Sequence, residues 1–505
     1  MSATPESRKS RVADLALAPR LLRYALFALA CLFLLVYIVI ALTRMRYPFE
    51  LEWMEGGSLD QVRRILAGQT LYAAPSLEFT AFIYPPLYFY LAAALATVTG
   101  LDFFPLRLLS FLASLGAFAL IFLIVKEETR NRFAGFVSAC LFAATFRLSG
   151  AWFDLGRTDS LLMFFLLLTL YLIKCKPSPA HLVLAGIAAA CAFHCKQSAL
   201  AINAALMIGA LLLYGRRALP FIVSALLVTG ISFAWLNYWT DGWAWFYLFT
   251  LPARHGISDK MIIAFWTRDL LARFWVACLA SAYCLLTKLA KGRKRVALFY
   301  LLVSGAMVAV SWVGRLNSGG YANALFPAYA ILAILFGLAL SRALEFAQDM
   351  PPDRKIGLES LILLLCIAQF ALLRYNPYHQ VPTARDLAAG NQLLEIIRQA
   401  PGEVLIPYHN YMLFRAGKPV HTHWISIGEL IGTTGGPVLE TGAMVLGQMR
   451  QKIERQEYSL LILDEKWDVE GYYTKWRPAF EDPNVFFPVT GWRIRPETIF
   501  VPRRE

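Results

Sequence analysis

Apolar residues in this chain come in long blocks separated by short charged joints, rather than in the alternation expected of half-buried strands. The blocks predict helices over 24–42, 106–125, 133–148, 160–173, 181–193, 199–214, 219–238, 270–289, 296–313, 324–340 and 356–373. Such a series reads as a polytopic α-helical membrane protein with about 11 spans. One further apolar run, 87–98, is shorter than the roughly 20 residues a span needs. With tyrosines at its start it reads as an interfacial segment, at headgroup level. It closes a long polar insertion, 44–105, that opens on Glu50, Glu52 and Glu55 and continues with Leu59, Val62, Ile65 and Leu66 on one helical face. Beyond residue 376 no membrane-length run remains. There the pattern predicts a helix over 386–398, a short strand over 403–407, a helix over 438–455, and strands over 459–464 and 498–501, which make a small α/β domain.

Charge orients these blocks. Of 505 residues 58% are hydrophobic, and the formal net charge is +14. In such a chain a basic excess reflects topology, because Lys and Arg collect in cytoplasmic loops; nucleic-acid binding is not the reading. The basic start (Arg8, Lys9, Arg11, Arg20, Arg23) marks 1–23 as a cytoplasmic segment, and the long run after it as an anchor, not a removed signal. The Lys126–Arg132 and Lys288–Arg295 clusters fall on the same side if 87–98 does not cross. The first loop (44–105), a second large loop (239–268) and the 376–505 domain then share the outer face. All eight cysteines lie at or before Cys366, so the outer domain does not depend on disulfides.

That topology gathers carboxylates and cations on one face: Glu52, Glu55, Asp154, Asp159, Arg157, Lys196, Arg254, His255, Arg315 and Asn317. Lone cations on the side that disfavours positive charge invite a functional explanation. A carboxylate beside cations at a membrane surface suits glycosyl transfer from a lipid-linked phosphosugar. The carboxylate takes the acceptor's proton, and Lys or Arg stabilises the leaving phosphate. Each residue also has an ordinary role to weigh. Glu52 and Glu55 fit a solvated helix face paired with Arg63 or Arg64, Asp154 and Asp159 suit a helix N-terminus, and Lys196 suits a helix end. Cys191, His194 and Cys195 read as residues of a span. A metal at His421 and His423 is the minority reading.

Four motifs carry a family resemblance. They are the acidic first-loop motif followed by Gly68-Gln-Thr-Leu-Tyr72 and Tyr84-Pro-Pro-Leu-Tyr88; Gly156-Arg-Thr-Asp159; Phe193-His-Cys-Lys196-Gln197; and Gly314-Arg315 through Asn323 and Pro327. In order and spacing the chain, from about 20 to 375, resembles the GT-C membrane glycosyltransferases, in the branch of the protein O-mannosyltransferases and the lipid A aminoarabinose transferase. The resemblance implies a GT-C-like catalytic domain over 24–375 with an outer α/β domain over 376–505. It implies an inverting glycosyltransferase in the bacterial inner membrane with a periplasmic active site. The donor is then a polyprenyl-phosphate sugar and the acceptor a lipid, glycan or protein. In that family the first-loop carboxylate is the proposed base. Here Met54-Glu55 replaces the usual Asp-Glu pair, so Glu55, with Glu52 close behind, is the expected base, and Asp159 and Asp154 assist. Arg157, Lys196, Gln197, Arg254, His255, Arg315, Asn317, Tyr84 and Tyr88 are the expected substrate contacts. Tyr84 stands where the aminoarabinose transferases have a lysine before proline, so their phosphate and metal contacts do not transfer. No cofactor is required, and a divalent metal is an open option at His255. Two rival readings remain: a transporter or flippase of lipid-linked saccharide, and a non-catalytic partner in envelope polysaccharide assembly.

Overall fold

The computed structural model describes residues 5–486 and 488–503, with side chains from residue 17 onward. The basic residues Arg8, Lys9 and Arg11 lie outside the described side chains. Thirteen principal helices precede residue 376: α1 (Pro5–Arg44), α2 (Glu55–Leu66), α3 (Leu87–Thr99), α4 (Phe103–Thr129), α5 (Arg132–Ala144), α6 (Asp159–Cys175), α7 (Pro179–Cys195), α8 (Ala199–Tyr214), α9 (Leu219–Trp239), α10 (Ala272–Ala290), α11 (Lys294–Leu316), α12 (Phe326–Gln348) and α13 (Pro352–Leu372). All eleven predicted blocks are helical. Seven stretches are long and apolar enough to cross a membrane; one of them, Ala199–Trp239, contains both α8 and α9. The chain is a multi-pass membrane protein. The short run becomes α3, 13 residues, below spanning length.

Two boundaries differ from expectation for local reasons. The first helix begins at Pro5, far ahead of residue 24. α5 stops at Ala144, not 148, and the following turns, with Gly150 and Ala151 both at positive φ, redirect the chain into 152–158. Caps define other ends: Asp102 accepts from Phe104 N, Asn131 from Ala134 N and Ser178 from His181 N. α12 is buried along nearly its whole length and is apolar on all sides, as a helix at the centre of a bundle must be.

The C-terminal domain, expected on the outer face, contains α14 (Ala384–Gln399), α15 (Trp424–Ile431), α16 (Glu440–Glu454) and four strands, β1 (Glu403–Leu405), β2 (Tyr458–Leu463), β3 (Tyr473–Pro478) and β4 (Thr498–Pro502). The sheet order is β1-β2-β4-β3. β1 runs parallel to β2, with Val404 opposite Leu460, and α15 and α16 supply the crossover that parallel pairing requires. β4 is antiparallel to both β2 and β3. β3, Tyr-Thr-Lys-Trp-Arg-Pro, was not predicted: it is an edge strand, largely exposed, without an apolar face to betray it.

The first loop lies between the helix bundle and this domain. Its Glu50 Oε2 meets His409 Nδ1 at 2.5 Å, and His409 Nε2 meets Asp464 Oδ2 at 2.7 Å. Arg415 donates to the Pro48 carbonyl, Thr490 N to the Leu51 carbonyl, and Phe49 packs edge-on against Phe486. The Gly56-Gly57 pair permits the fit. A Cβ on Gly56 would collide with Glu50 Oε1, whose partner is the Gly56 N–H, and one on Gly57 would enter the Phe82 ring.

Candidate active site

Two layers of charge stand where α1, α4, α6 and the first loop converge. The inner layer is closed. Arg107 donates to Glu55 Oε1 from Nε (3.0 Å) and to Oε2 from Nη2 (2.7 Å), and the remaining acceptor positions are filled by Gly156 N and Leu51 N at 2.7 and 2.8 Å. Arg107 also donates to the carbonyls of Arg44, Tyr47 and Phe49. Beside it Arg44 holds both oxygens of Asp154, at 2.7 and 2.5 Å, and donates to the Ala151 and Gln380 carbonyls. All four side chains are essentially without exposure. Burial alone would raise the Glu55 carboxyl, but Arg107 and the backbone donors hold it below the usual carboxylate range. Glu55 is saturated by four donors, and like Glu52 it stands off the cavity wall. Asp154, committed to Arg44, is not placed to assist. Both were expected in catalysis; in the resting site each is committed to an arginine, Glu55 to Arg107 and Asp154 to Arg44.

The outer layer faces a cavity of about 700 Å³. Arg157, Asp159, Lys196, Gln197, Tyr84, His255 and Asn317 line it. Asp159 opens α6, and its Oδ1 accepts from Lys196 Nζ (2.8 Å) and Asn323 Nδ2 (3.0 Å). Arg157 Nη2 donates to the Tyr84 hydroxyl (3.0 Å), and its guanidinium lies between the Tyr84 and Trp152 rings. Lys196, at the end of α7, also sits over the Tyr84 ring. Gln197 spans to the carbonyls of Ile83 and Leu248, tying the first loop to the second.

Glu52 stands between the layers. Its Oε2 is 3.3 Å from Arg157 Nη1, while its Oε1 is buried without a partner. Burial pushes its carboxyl up, against the pull of Arg157 and with the push of Glu55 and Glu50, to about 8. Gly491, at φ +77, lays its backbone over this side chain, at a position where a Cβ would be crowded by Glu52 Cγ.

Three expected contacts lie elsewhere. Tyr88 is buried, donating to the Leu106 carbonyl. Arg315 is tied to Asp269 (2.9 Å) and the Gly320 carbonyl. Arg254 donates to the Pro437 carbonyl. None of them lines the cavity. His255 does, and its Nε2 meets Glu429 Oε2 of α15 at 2.5 Å. Glu429 also lines the cavity and was not anticipated, because only the folded outer domain brings it there. Among the described residues no group of three or more His, Cys, Asp and Glu is arranged to hold a metal, and His255 with Glu429 lacks a third donor.

Part of the lining is aliphatic, with Leu200 and Ala201 of α8 and Ala306, Ala309, Val310 and Val313 of α11. The site therefore pairs a cationic, carboxylate-bearing end with an oily flank on the bundle side.

This bundle, with its inserted first loop and appended domain, has counterparts of similar fold among solved membrane proteins. Comparison with solved structures shows it directly. The chain matches ArnT from Cupriavidus metallidurans, solved bound to undecaprenyl phosphate, with a TM-score of 0.60 at 14% identity over 93% of this chain and 97% of that one. It matches the oligosaccharyltransferase AglB from Archaeoglobus fulgidus, solved with an inhibitory peptide and a dolichol-phosphate, with a TM-score of 0.56 at 12% identity over 87% of this chain and 69% of that one. Residues 84–239, less than a third of the chain, match the family model of the dolichyl-phosphate-mannose-protein mannosyltransferases. The matched segment carries Tyr84, Arg157, Asp159, Lys196 and Gln197. No curated protein sequence matches the chain.

Proposed function

We propose that the protein transfers a sugar, with inversion, from a polyprenyl-phosphate donor to an acceptor at the periplasmic face of a bacterial inner membrane. The observation that carries this reading is one cavity holding Lys196 and Arg157 at its polar end and the aliphatic wall of α8 and α11 beside them. A polyprenyl phosphate needs both: cations for the phosphate and an oily surface for the chain. ArnT, which shares the fold, was solved with undecaprenyl phosphate, and AglB with a dolichol-phosphate.

The acceptor hydroxyl or amine attacks the anomeric carbon from the side opposite the phosphate. The bond from that carbon to the phosphate oxygen breaks, and its electron pair stays on the phosphate. Lys196 and Arg157 stabilise the charge that develops there. Asp159 keeps Lys196 oriented in the resting site and yields it when phosphate arrives. Glu52 receives the acceptor's proton. Its unpartnered oxygen is free to accept one, and a carboxyl raised to about 8 is a far stronger base than an ordinary one once ionised. The turn at Gly491 must lift for the acceptor to reach it.

The test is consumption of donor by the purified protein in lipid, with a panel of polyprenyl-phosphate sugars and an envelope extract. Release of free polyprenyl phosphate by the wild type, lost in Glu52→Gln and in Lys196→Ala, is the expected result. Full activity in Glu52→Gln with loss in Glu429→Gln would move the base to the His255–Glu429 pair. Passage of labelled lipid across the bilayer without sugar transfer would identify a flippase instead.

A further inference from the structure

A row of aromatic rings that the transfer chemistry leaves unused begins at the cavity wall. Trp53, on the cavity wall, meets the Trp492 ring edge-on at 5.4 Å and the Tyr408 ring at 6.1 Å. Tyr408 meets Trp424 at 6.0 Å, and Trp424 meets Trp467 at 4.8 Å. The row draws on the first loop and on four separate segments of the outer domain. Tyr408 is its buried floor, Trp53, Trp424 and Trp467 are half-buried, and Trp492 is 51% exposed. Charged side chains edge it: Glu465, which accepts from the Tyr408 hydroxyl at 2.6 Å and is itself exposed, Lys466 and Asp468 beside Trp467, and Arg493 beside Trp492.

Packing alone does not explain this arrangement. The outer domain fills its centre with Leu405, Val445, Met449 and Leu461, and only one side of Trp424 and Trp467 rests on that core. Large rings left half in water, in sequence from a reaction cavity, form a recognition surface rather than a core. Planar rings bordered by carboxylates and cations match a pyranose. Its C–H face stacks on an aromatic ring while its hydroxyls turn to hydrogen-bonding groups at the rim. An acyl chain is better matched by aliphatic walls, and those are the α8 and α11 residues of the cavity.

Resting on the transferase reading above, we infer that the acceptor is a saccharide chain, several sugars long, bound along Trp492, Trp53, Trp424 and Trp467 with its growing end in the cavity. The acceptor thus reaches the site over the outer domain, and the lipid donor from the bundle.

The experiment measures binding of maltoheptaose, cellohexaose and mannohexaose to the full chain in lipid nanodiscs, beside binding of undecaprenyl phosphate. At least one oligosaccharide binds the wild type. Trp492→Ala and Trp467→Ala each weaken it by about tenfold, the loss of one stacking contact, and leave undecaprenyl phosphate binding unchanged. Absence of binding by all three sugars, or affinity that neither variant alters, overturns the inference. So does quenching of Trp492 by brominated lipid, since the row would then rest on the bilayer. Sugar binding in a protein that fails to bind undecaprenyl phosphate would sink the transferase reading while leaving the saccharide surface in place.

Discussion

Two first-loop carboxylates three residues apart, each paired with a buried arginine, have opposite fates. Glu55 and Arg107 satisfy each other and every neighbouring donor, and no solvent or cavity reaches them. Glu52 and Arg157 meet at 3.3 Å through one oxygen, leaving the other without a partner, and Arg157 faces the cavity. The difference is in the donors around each, not in the carboxylates. Saturation makes a buried pair a brace, whose loss strands a charge; incomplete saturation keeps a group available for chemistry. A loop carrying both can be held rigidly on the bundle by one pair and present the other.

The widest contrast comes from removing one member of each layer. Arg107→Ala leaves Glu55 buried and unpaired and should cost about 3–5 kcal/mol, read as a large drop in the unfolding temperature in lipid. Lys196→Ala should lower that temperature less, because Lys196 is partly exposed and Asp159 keeps Asn323 as a donor, and should slow transfer by about a hundredfold, as for loss of one charge-stabilising donor. Equal destabilisation by both variants would erase the distinction between the layers. A narrower test is pH. A base must be ionised, and Glu52 is raised to about 8, so transfer should climb as pH rises toward 8 and level off above it. A profile flat between about pH 6 and 9 would exclude Glu52.

The bundle was legible because a bilayer forces apolar runs of a minimum length, so every predicted block is helical. The outer domain was partly legible: β2 is a continuous apolar run, whereas β3 exposes Thr474, Lys475 and Trp476 and carries no period. The site divides the same way. Arg157, Asp159 and Lys196 stand in short motifs at helix ends, and the topology gathers them. Arg107 also left a signal, a lone arginine near the start of the apolar run of α4, and it would have disclosed Glu55's partner. Glu50 with His409, and His255 with Glu429, pair residues 359 and 174 positions apart, and no local pattern reports such contacts.

The smallest predicted effect concerns the joint between the first loop and the outer domain. Burial alone would lower His409, but Asp464 and Glu50 on either side outweigh it and raise it to about 10. Burial raises Glu50 to about 7 despite His409. Both shifts mean that the folded chain holds more protons than the unfolded one. The His409 contribution is fully present below its unfolded value of about 6.5 and is lost as pH rises through about 10; that of Glu50 fades between about 4.5 and 7. Stability should therefore decline from neutral pH toward pH 10, by a few degrees in unfolding temperature. His409→Gln should flatten that decline, since glutamine keeps some hydrogen bonding and carries no proton to lose. If the variant declines as steeply as the wild type, His409 is not the proton that fastens the domain to the loop, and the contacts of Arg415 and Thr490 must fasten it instead.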